Sequence, residues 1–180
     1  MAVEAPADVV DRLVEAYWRV RSGLGFNKSA REFGAIPIDP YSHSPAHAGA
    51  QQPGMTGLVK EELLTRPLEV GLRVEDGEIV FDPILLRSEE LISQPETWSV
   101  YGLDLQPVEL AIPSASLGVT VCQVPVLVSA SPAEPEIRVS LADGSAVQVS
   151  GMRLDRKNSA SVFSRTGEIT GIHASIPIRD

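Results

Sequence analysis

The sequence predicts an α+β protein, in which an N-terminal helical segment with a long ordered loop is followed by an antiparallel β-sandwich or jelly-roll-like unit. Apolar residues near the N-terminus recur at helical spacing, and a stretch rich in glycine and proline occupies 34–57. Beyond Trp98 the apolar period shortens to two, the period of a strand. We therefore divide the chain into a helical part, 1–95, and a β-sandwich domain, 96–180.

Composition narrows the classes of function. The chain has 180 residues, which is room for one ordinary domain or two small ones. Its net charge of −9 argues against nucleic acid or an anionic membrane as the main partner. No apolar run approaches the roughly 18–20 residues of a membrane helix. The acidic N-terminus also lacks the basic residues of a signal peptide, so we expect a cytoplasmic protein that does not bind membranes.

The first predicted element is a helix from Ala7 to Ser22. Pro6 suits its entry and Gly23 suits its exit. One apolar stripe runs along it at three- and four-residue spacing, formed by Val9, Val10, Leu13, Ala16, Tyr17 and Val20. We expect this stripe to pack on a hydrophobic core.

Three short elements are predicted before the β-rich part. A helix over 58–65 is expected to end at Pro67, which cannot continue it. A β-hairpin is predicted over 72–81, because Glu75-Asp76-Gly77 separates two apolar runs and glycine supplies the positive φ of a tight turn. A further helix is predicted over 82–92, with Asp82 as its cap and proline at its first position.

The second half of the chain predicts seven short strands that are rich in β-branched residues and separated by Gly, Pro and Asp. They are Trp98–Tyr101, Val108–Ile112, Gly118–Gln123, Val126–Ser129, Ile137–Leu141, Ala146–Ser150 and Ile169–Ile178. Asp143-Gly144 predicts a hairpin turn between two of them. Many short strands with this punctuation are typical of a sandwich or jelly roll.

The loop 34–57 is the segment with the chemistry of a binding site. It holds four glycines, four prolines and a single charge, Asp39. Loops of this length are uncommon in compact domains unless they are functional or disordered. Its polar side chains are of the types that bind sugar hydroxyls, and they are Tyr41, His43, His47, Gln51, Gln52 and Thr56. The alternative is that these groups only hydrogen-bond one another and the backbone of a rigid loop.

Several short sequence strings, most of them in or near this loop, resemble those of a known family. They are Phe26-Asn27-Lys28, Asp39-Pro40-Tyr41-Ser42-His43, Gln51-Gln52-Pro53-Gly54-Met55-Thr56-Gly57, Lys60-Glu61-Glu62 and Cys122-Gln123-Val124-Pro125-Val126. They resemble the C-terminal part of large bacterial six-hairpin glycosidase-like proteins, of the glycoside hydrolase and phosphorylase type. In that family an α/α barrel precedes a small β-sandwich. The resemblance implies a carbohydrate-active protein whose partner is a carbohydrate. The alternative is a non-catalytic β-sandwich module for binding, structure or assembly.

The length of the chain bears on this resemblance. Twelve helices at roughly 11–12 residues each do not fit before Trp98, so a complete barrel is excluded. We therefore expect either the C-terminal portion of a longer protein or a chain that pairs with a barrel subunit. Without a barrel to pack against, the helices would expose apolar surface, which soluble monomers rarely do. We therefore also expect a homo-oligomer.

Catalysis of glycoside cleavage usually needs two carboxyl groups about 5–9.5 Å apart. The candidates are Asp39, Glu61 and Glu62. Adjacent residues of a helix do not face each other, so the pair would be Asp39 with one glutamate, or one of the three with a carboxylate from elsewhere. The alternative for the glutamates is a solvated position near a helix start.

Other chemistries are disfavoured, and no metal or cofactor is predicted. His43 and His47 have the spacing of a helical metal pair, but Pro45 lies between them. Cys122, the single cysteine, is expected to be a small buried apolar residue of a strand. His173, in the last strand, is expected to be structural.

Overall fold

A computed structural model describes residues 5–21, 63–131 and 133–178. Contacts between residues divide the chain into two compact units, Met1–Thr65 and Arg66–Asp180. In the first unit, helix α1 spans Ala7–Arg21 and confirms the first predicted helix. Asp8 in its first turn and arginines in its last turn complement the helix dipole. No helix in the described part of the chain is long and apolar enough to cross a membrane.

The second helix, α2, is described over residues 63–69 and continues past Pro67, where it was expected to end. Its last helical residue is Glu69, and Gly71 follows in the turn with a φ of +86°, a left-handed conformation that favours glycine. The Gly71 amide donates to the Leu68 carbonyl at 3.0 Å. A Cβ at this position would lie 2.4 Å from the carbonyl carbon of Asp82, so the close approach of the two backbones also requires glycine.

A three-stranded sheet follows. The predicted hairpin is confirmed as β1, Leu72–Glu75, and β2, Glu78–Phe81, which pair antiparallel. A strand that the sequence did not predict, β9 at Arg153–Leu154, pairs with the other side of β2. This pairing places the hairpin in the same compact unit as the later strands, although the sequence-based division grouped it with the helical part.

The helix predicted over 82–92 is wrong, since only Ser88–Glu90 form a short 3-10 turn there. Tertiary contacts outweigh the local helix start formed by Asp82 and Pro83. The Leu86 side chain is buried in the core. Ile92 forms a β-bridge to Ser116, in which the Ile92 amide donates to the Ser116 carbonyl at 3.0 Å. Residues 82–92 therefore form a largely non-helical connection between the three-stranded sheet and the strands that follow it in sequence.

All seven strands predicted after Trp98 are present. β3, Glu96–Tyr101, and β4, Pro107–Ile112, form a separate antiparallel hairpin. The other five strands form one sheet, and they are β5 at Ser116–Val121, β6 at Val124–Ala130, β7 at Glu136–Leu141, β8 at Ala146–Ser150 and β10 at Ile169–Ile176. Their order in the sheet is β5-β6-β10-β7-β8. Its neighbouring strands pair antiparallel except β6 and β10, which are parallel.

A third helix, α3 at Arg156–Phe163, precedes β10 and was not predicted. Asp155 caps it, because its Oδ1 accepts a hydrogen bond from the Asn158 amide at 2.9 Å. Val162 and Ser159 are its buried residues. The Ser159 hydroxyl accepts from the Ile79 amide at 3.0 Å, and this bond ties the helix to β2.

The core of the second unit is formed by apolar side chains on one face of the five-stranded sheet, together with β2, β9 and α3. Its largest fully buried apolar members are Phe81, Ile79, Leu86, Ile137, Leu154, Ile176, Val70, Val126, Val128, Val139 and Val162. On β6 and β10 these residues alternate with residues that point away from the core. The arrangement confirms an α+β fold with a β-sandwich-like unit.

Candidate functional site

The residues predicted to bind or cleave a sugar lie outside the described residues. This holds for the three carboxylates Asp39, Glu61 and Glu62. It also holds for the whole predicted binding set, Tyr41, His43, His47, Gln51, Gln52 and Thr56. Their roles therefore remain predictions from the sequence.

The second unit contains a hydrogen-bonded row of two serines and a histidine. Ser116 Oγ lies 2.6 Å from Ser129 Oγ, and Ser129 Oγ lies 2.7 Å from His173 Nε2. Ser129 and His173 alternate with core residues on β6 and β10, so they lie on the face of the sheet opposite the core. The row crosses three strands, because β5, β6 and β10 are consecutive in the sheet.

His173 is half-buried and lies directly opposite Arg138 of β7. Burial lowers the pKa of His173, and the positive charge of Arg138 lowers it further, whereas Glu136 acts in the other direction. The neutral imidazole is therefore favoured. A neutral ring can accept the Ser129 hydroxyl hydrogen through Nε2 or donate to it, depending on the tautomer.

The Ser129–His173 contact has the distance of a nucleophile and its base, but a hydrolytic triad also needs a group that orients the imidazole. Among the described residues, no carboxylate forms a hydrogen bond with His173. Ser129 is also engaged by Ser116, which is fully buried. The three side chains are therefore better described as a hydrogen-bonded polar row on the sheet surface than as a hydrolytic centre.

An aromatic side chain covers the same face of the sheet nearby. A Cβ added to Gly118 would lie 2.8 Å from Trp98 Cε3, so the indole rests directly on the glycine. Gly118 follows Ser116 by two positions in β5 and shares its face. The hairpin of β3 and β4 is thus held over the β5 side of this surface.

A second polar cluster joins the end of α2 to the 3-10 turn. Arg66 Nη1 donates to Glu69 Oε2 at 2.9 Å and to Glu90 Oε2 at 2.6 Å. Glu69 is fully buried. Burial lowers the pKa of Arg66, but the hydrogen bonds and charges of Glu69 and Glu90 outweigh it, and the net shift is upward. Both carboxylates are bound to one cation, and this arrangement suits structural support better than proton transfer.

Cys122 is exposed, which corrects the expectation of a buried strand residue. The predicted strand Gly118–Gln123 ends earlier, at Val121, and Cys122 and Gln123 form the turn between β5 and β6. Their φ values of +51° and +67° are left-handed and typical of a two-residue hairpin turn. The described residues hold no cluster of three or more His, Cys, Asp or Glu side chains suited to a metal ion.

From the sequence, His173 was expected to be structural, and the two serines that join it were not predicted as site residues. The sequence did offer one indication of this row, because Ser129 and His173 are polar residues that alternate with apolar residues in their strands. The pairing of β6 with β10, which brings Ser129 to His173, could not be derived from local sequence. Comparison with protein-family models finds no match to this chain, and comparison with curated proteins finds no similar sequence.

Proposed function

We propose that the chain is the C-terminal portion of a glycoside hydrolase- or phosphorylase-like carbohydrate-active protein and contributes part of a sugar-binding site. In this proposal residues 39–62 bind the sugar, and the β-sandwich-like unit is a non-catalytic support. The observation that carries it is the composition of that segment. Amides, imidazoles, a phenol and a threonine hydroxyl lie close together in sequence and are accompanied by few charges.

The chemistry of sugar binding accounts for these residue types. A sugar ring presents hydroxyl groups that both donate and accept, and the amides of Gln51 and Gln52 can do the same. Binding pockets combine a few such polar groups with aromatic or apolar walls, and Tyr41 offers an aromatic face. Asp39, Glu61 and Glu62 add the carboxylates that glycoside chemistry requires.

The non-catalytic role of the second unit is supported by how its polar clusters are occupied. Glu69 and Glu90 share the Arg66 guanidinium. His173 has a serine partner but lacks a carboxylate partner among the described residues. Neither cluster offers the pair of an acid and a base or nucleophile that glycoside cleavage needs.

A non-catalytic module for structure or assembly is the second candidate. The second unit has a hydrophobic core of its own, shared by two sheets and α3. A domain with its own core can serve as a spacer or an assembly platform without binding a sugar.

Calorimetric titration of the 180-residue chain with neutral monosaccharides and disaccharides tests the proposal. We expect saturable binding with a dissociation constant on the order of 1 mM or tighter for at least one sugar. The double variant Gln51→Ala/Gln52→Ala should weaken it by at least about tenfold. The matched control is Gln148→Ala, which removes an exposed amide in β8 and should leave the affinity unchanged. Absence of saturable binding across the panel, or an equal loss in the control, would contradict the proposal.

A further inference from the structure

The two edges of the five-stranded sheet differ in how they are protected. The β5 edge is bridged by Ile92, which exchanges backbone hydrogen bonds with Ala115 and Ser116. Among the described residues, no strand pairs with the outer edge of β8. Proteins usually block such an edge with a charge, a proline or a bulge, because its unpaired backbone groups accept another strand.

β8 carries none of these protections. Its sequence, Ala-Val-Gln-Val-Ser, has no charged residue and no proline, and it pairs with β7 without a register shift. Four of its five residues are exposed, and Val147 keeps 41% of its surface accessible. The strand is therefore long enough and accessible enough to pair with a further strand.

The hydrogen bonds of β7 and β8 identify which backbone groups face outward. The Leu141 amide donates to the Ser145 carbonyl at 2.9 Å, and the Gly151 amide donates to the Pro135 carbonyl at 2.7 Å. Hydrogen-bonded and non-hydrogen-bonded pairs alternate along an antiparallel ladder. Counting inward from both ends, Val147 and Val149 bond to β7. The outward amides and carbonyls then belong to a second set of residues, Ala146, Gln148 and Ser150.

We propose that β8 is a self-association edge, at which two copies of the chain join antiparallel about a twofold axis through Gln148. In this register Gln148 lies opposite Gln148 of the second copy, and Ala146 lies opposite Ser150 of the second copy. Every outward amide and carbonyl of the three outward-facing residues then meets an outward group of the second strand. Registers shifted along the strand leave some of these groups unpaired.

Side chains and charges are compatible with this pairing. Val149 packs against the core of its own unit, and Val147 of the second copy would lie beside it and extend the apolar face. The opposite face would bring together neutral side chains only. Among the residues aligned with Gln148 across the strands, the nearest charged residue in each copy is Arg138, on the neighbouring strand β7. Three strand spacings of about 4.8 Å then separate the two arginine positions, beyond the Debye length of about 8 Å.

A single pair of five-residue strands buries much less than the roughly 1,200 Å² of a stable interface. The expected dimer is therefore weak and forms as the protein concentration rises. Sedimentation velocity over a concentration series should show reversible dimers. Hydrogen exchange should show protection of the Ala146, Gln148 and Ser150 amides that increases with concentration. The amides of Val147 and Val149 should be protected at every concentration, since they bond within the monomer.

Two variants at one position test the edge by different means. Gln148→Glu places two carboxylates opposite each other in the dimer. In the monomer residue 148 lies opposite Arg138 of β7, and the wild-type Gln148 Nε2 also donates to Glu136 Oε1 at 3.3 Å. Circular dichroism of the variant therefore checks that the monomer keeps its fold. Gln148→Pro keeps the charge and removes the outward amide. Each should weaken dimerisation by at least about tenfold. The matched control, Thr120→Glu on the exposed face of β5, should dimerise as the wild type does.

Three results would overturn the proposal. They are a wild-type chain that stays monomeric up to about 1 mM, unchanged dimerisation in both Gln148 variants, and dimers lost only in Thr120→Glu. These outcomes are independent of sugar binding, so they leave the proposed function to its own test.

Discussion

Ser129 and His173 lie on the one parallel pair of strands in the five-stranded sheet, with Ser129 Oγ 2.7 Å from His173 Nε2. Their backbones are not directly opposite, since Ser129 pairs with Ser175 and His173 with Leu127. The contact is therefore diagonal across β6 and β10. It depends on the register of strands that are far apart in sequence, and it makes His173 a sensitive reporter of that register.

The first prediction concerns the pH dependence of stability. The pKa of His173 is lowered from 6.5, first by burial and then by Arg138, so the unfolded chain binds this proton more readily than the folded chain. Stability therefore falls as the pH drops below 6.5 and stops falling below the lowered folded-state pKa. Urea unfolding at about pH 5 and about pH 7.5 should show a smaller difference for His173→Gln than for the wild type.

The control for this experiment is Thr120→Gln, an exposed substitution in β5 that changes no titratable group and should keep the wild-type difference between the two pH values. Equal differences in the wild type and His173→Gln would show that the histidine is protonated equally in both states. That result would contradict the inferred environment of His173.

The second prediction concerns the contact between Trp98 and Gly118. A methyl group at residue 118 would lie 2.8 Å from the Trp98 indole, so Gly118→Ala must shift the indole or the β5 backbone beneath it. Overpacking of this kind costs about 1–3 kcal/mol. Gly171→Ala on β10 is the matched control, because its Cβ would have only ordinary contacts at 3.9 Å. Denaturant unfolding followed by tryptophan fluorescence should show a loss for Gly118→Ala alone, and equal effects would contradict the packing described here.

The third prediction compares two arginines that each bind two carboxylates. Arg66→Met removes two charge-assisted hydrogen bonds, one to the fully buried Glu69 and one to Glu90, at a cost of about 1–3 kcal/mol. Arg153→Met removes the exposed pairs with Glu75 and Glu78. Exposed pairs contribute little, so this change should be the smaller of the two. Denaturant unfolding of both variants measures the difference, and a larger effect for Arg153→Met would contradict the assignment.

The fourth prediction concerns catalysis. If the chain supplies only part of a sugar site, the purified chain should not hydrolyse or phosphorolyse simple glycosides, because a second carboxylate of the catalytic pair comes from elsewhere. The measurement is release of reducing sugar, with and without phosphate. Turnover that is abolished by Glu61→Gln and retained by Glu168→Gln would instead make the chain a complete small enzyme.

Local sequence was informative where local forces decide the structure. The 72–81 hairpin and the turn at Asp143-Gly144 were predictable because glycine at positive φ defines a tight turn. The helix expected over 82–92 failed because Leu86 enters the core and Ile92 bridges β5, and no local pattern reports those contacts. β9 and α3 were missed for a related reason, since both are short and depend on packing against β2.

The candidate sites divide in the same way. The types of polar residue in 39–62 could be recognised from sequence, but their arrangement could not. The row of Ser116, Ser129 and His173 required the order of β5, β6 and β10, which is a property of the whole sheet. That β8 is an edge strand could likewise be identified only from the order of the strands in the sheet.

Titration of the isotope-labelled 180-residue chain with the tightest-binding sugar, followed by amide chemical shifts, tests the proposed sugar site directly. We expect saturable shifts that concentrate within residues 39–62, with the amides of Ser129 and His173 unmoved. Shifts that concentrate in the β-sandwich-like unit, or no shifts at saturating sugar, would contradict a sugar site formed by that segment.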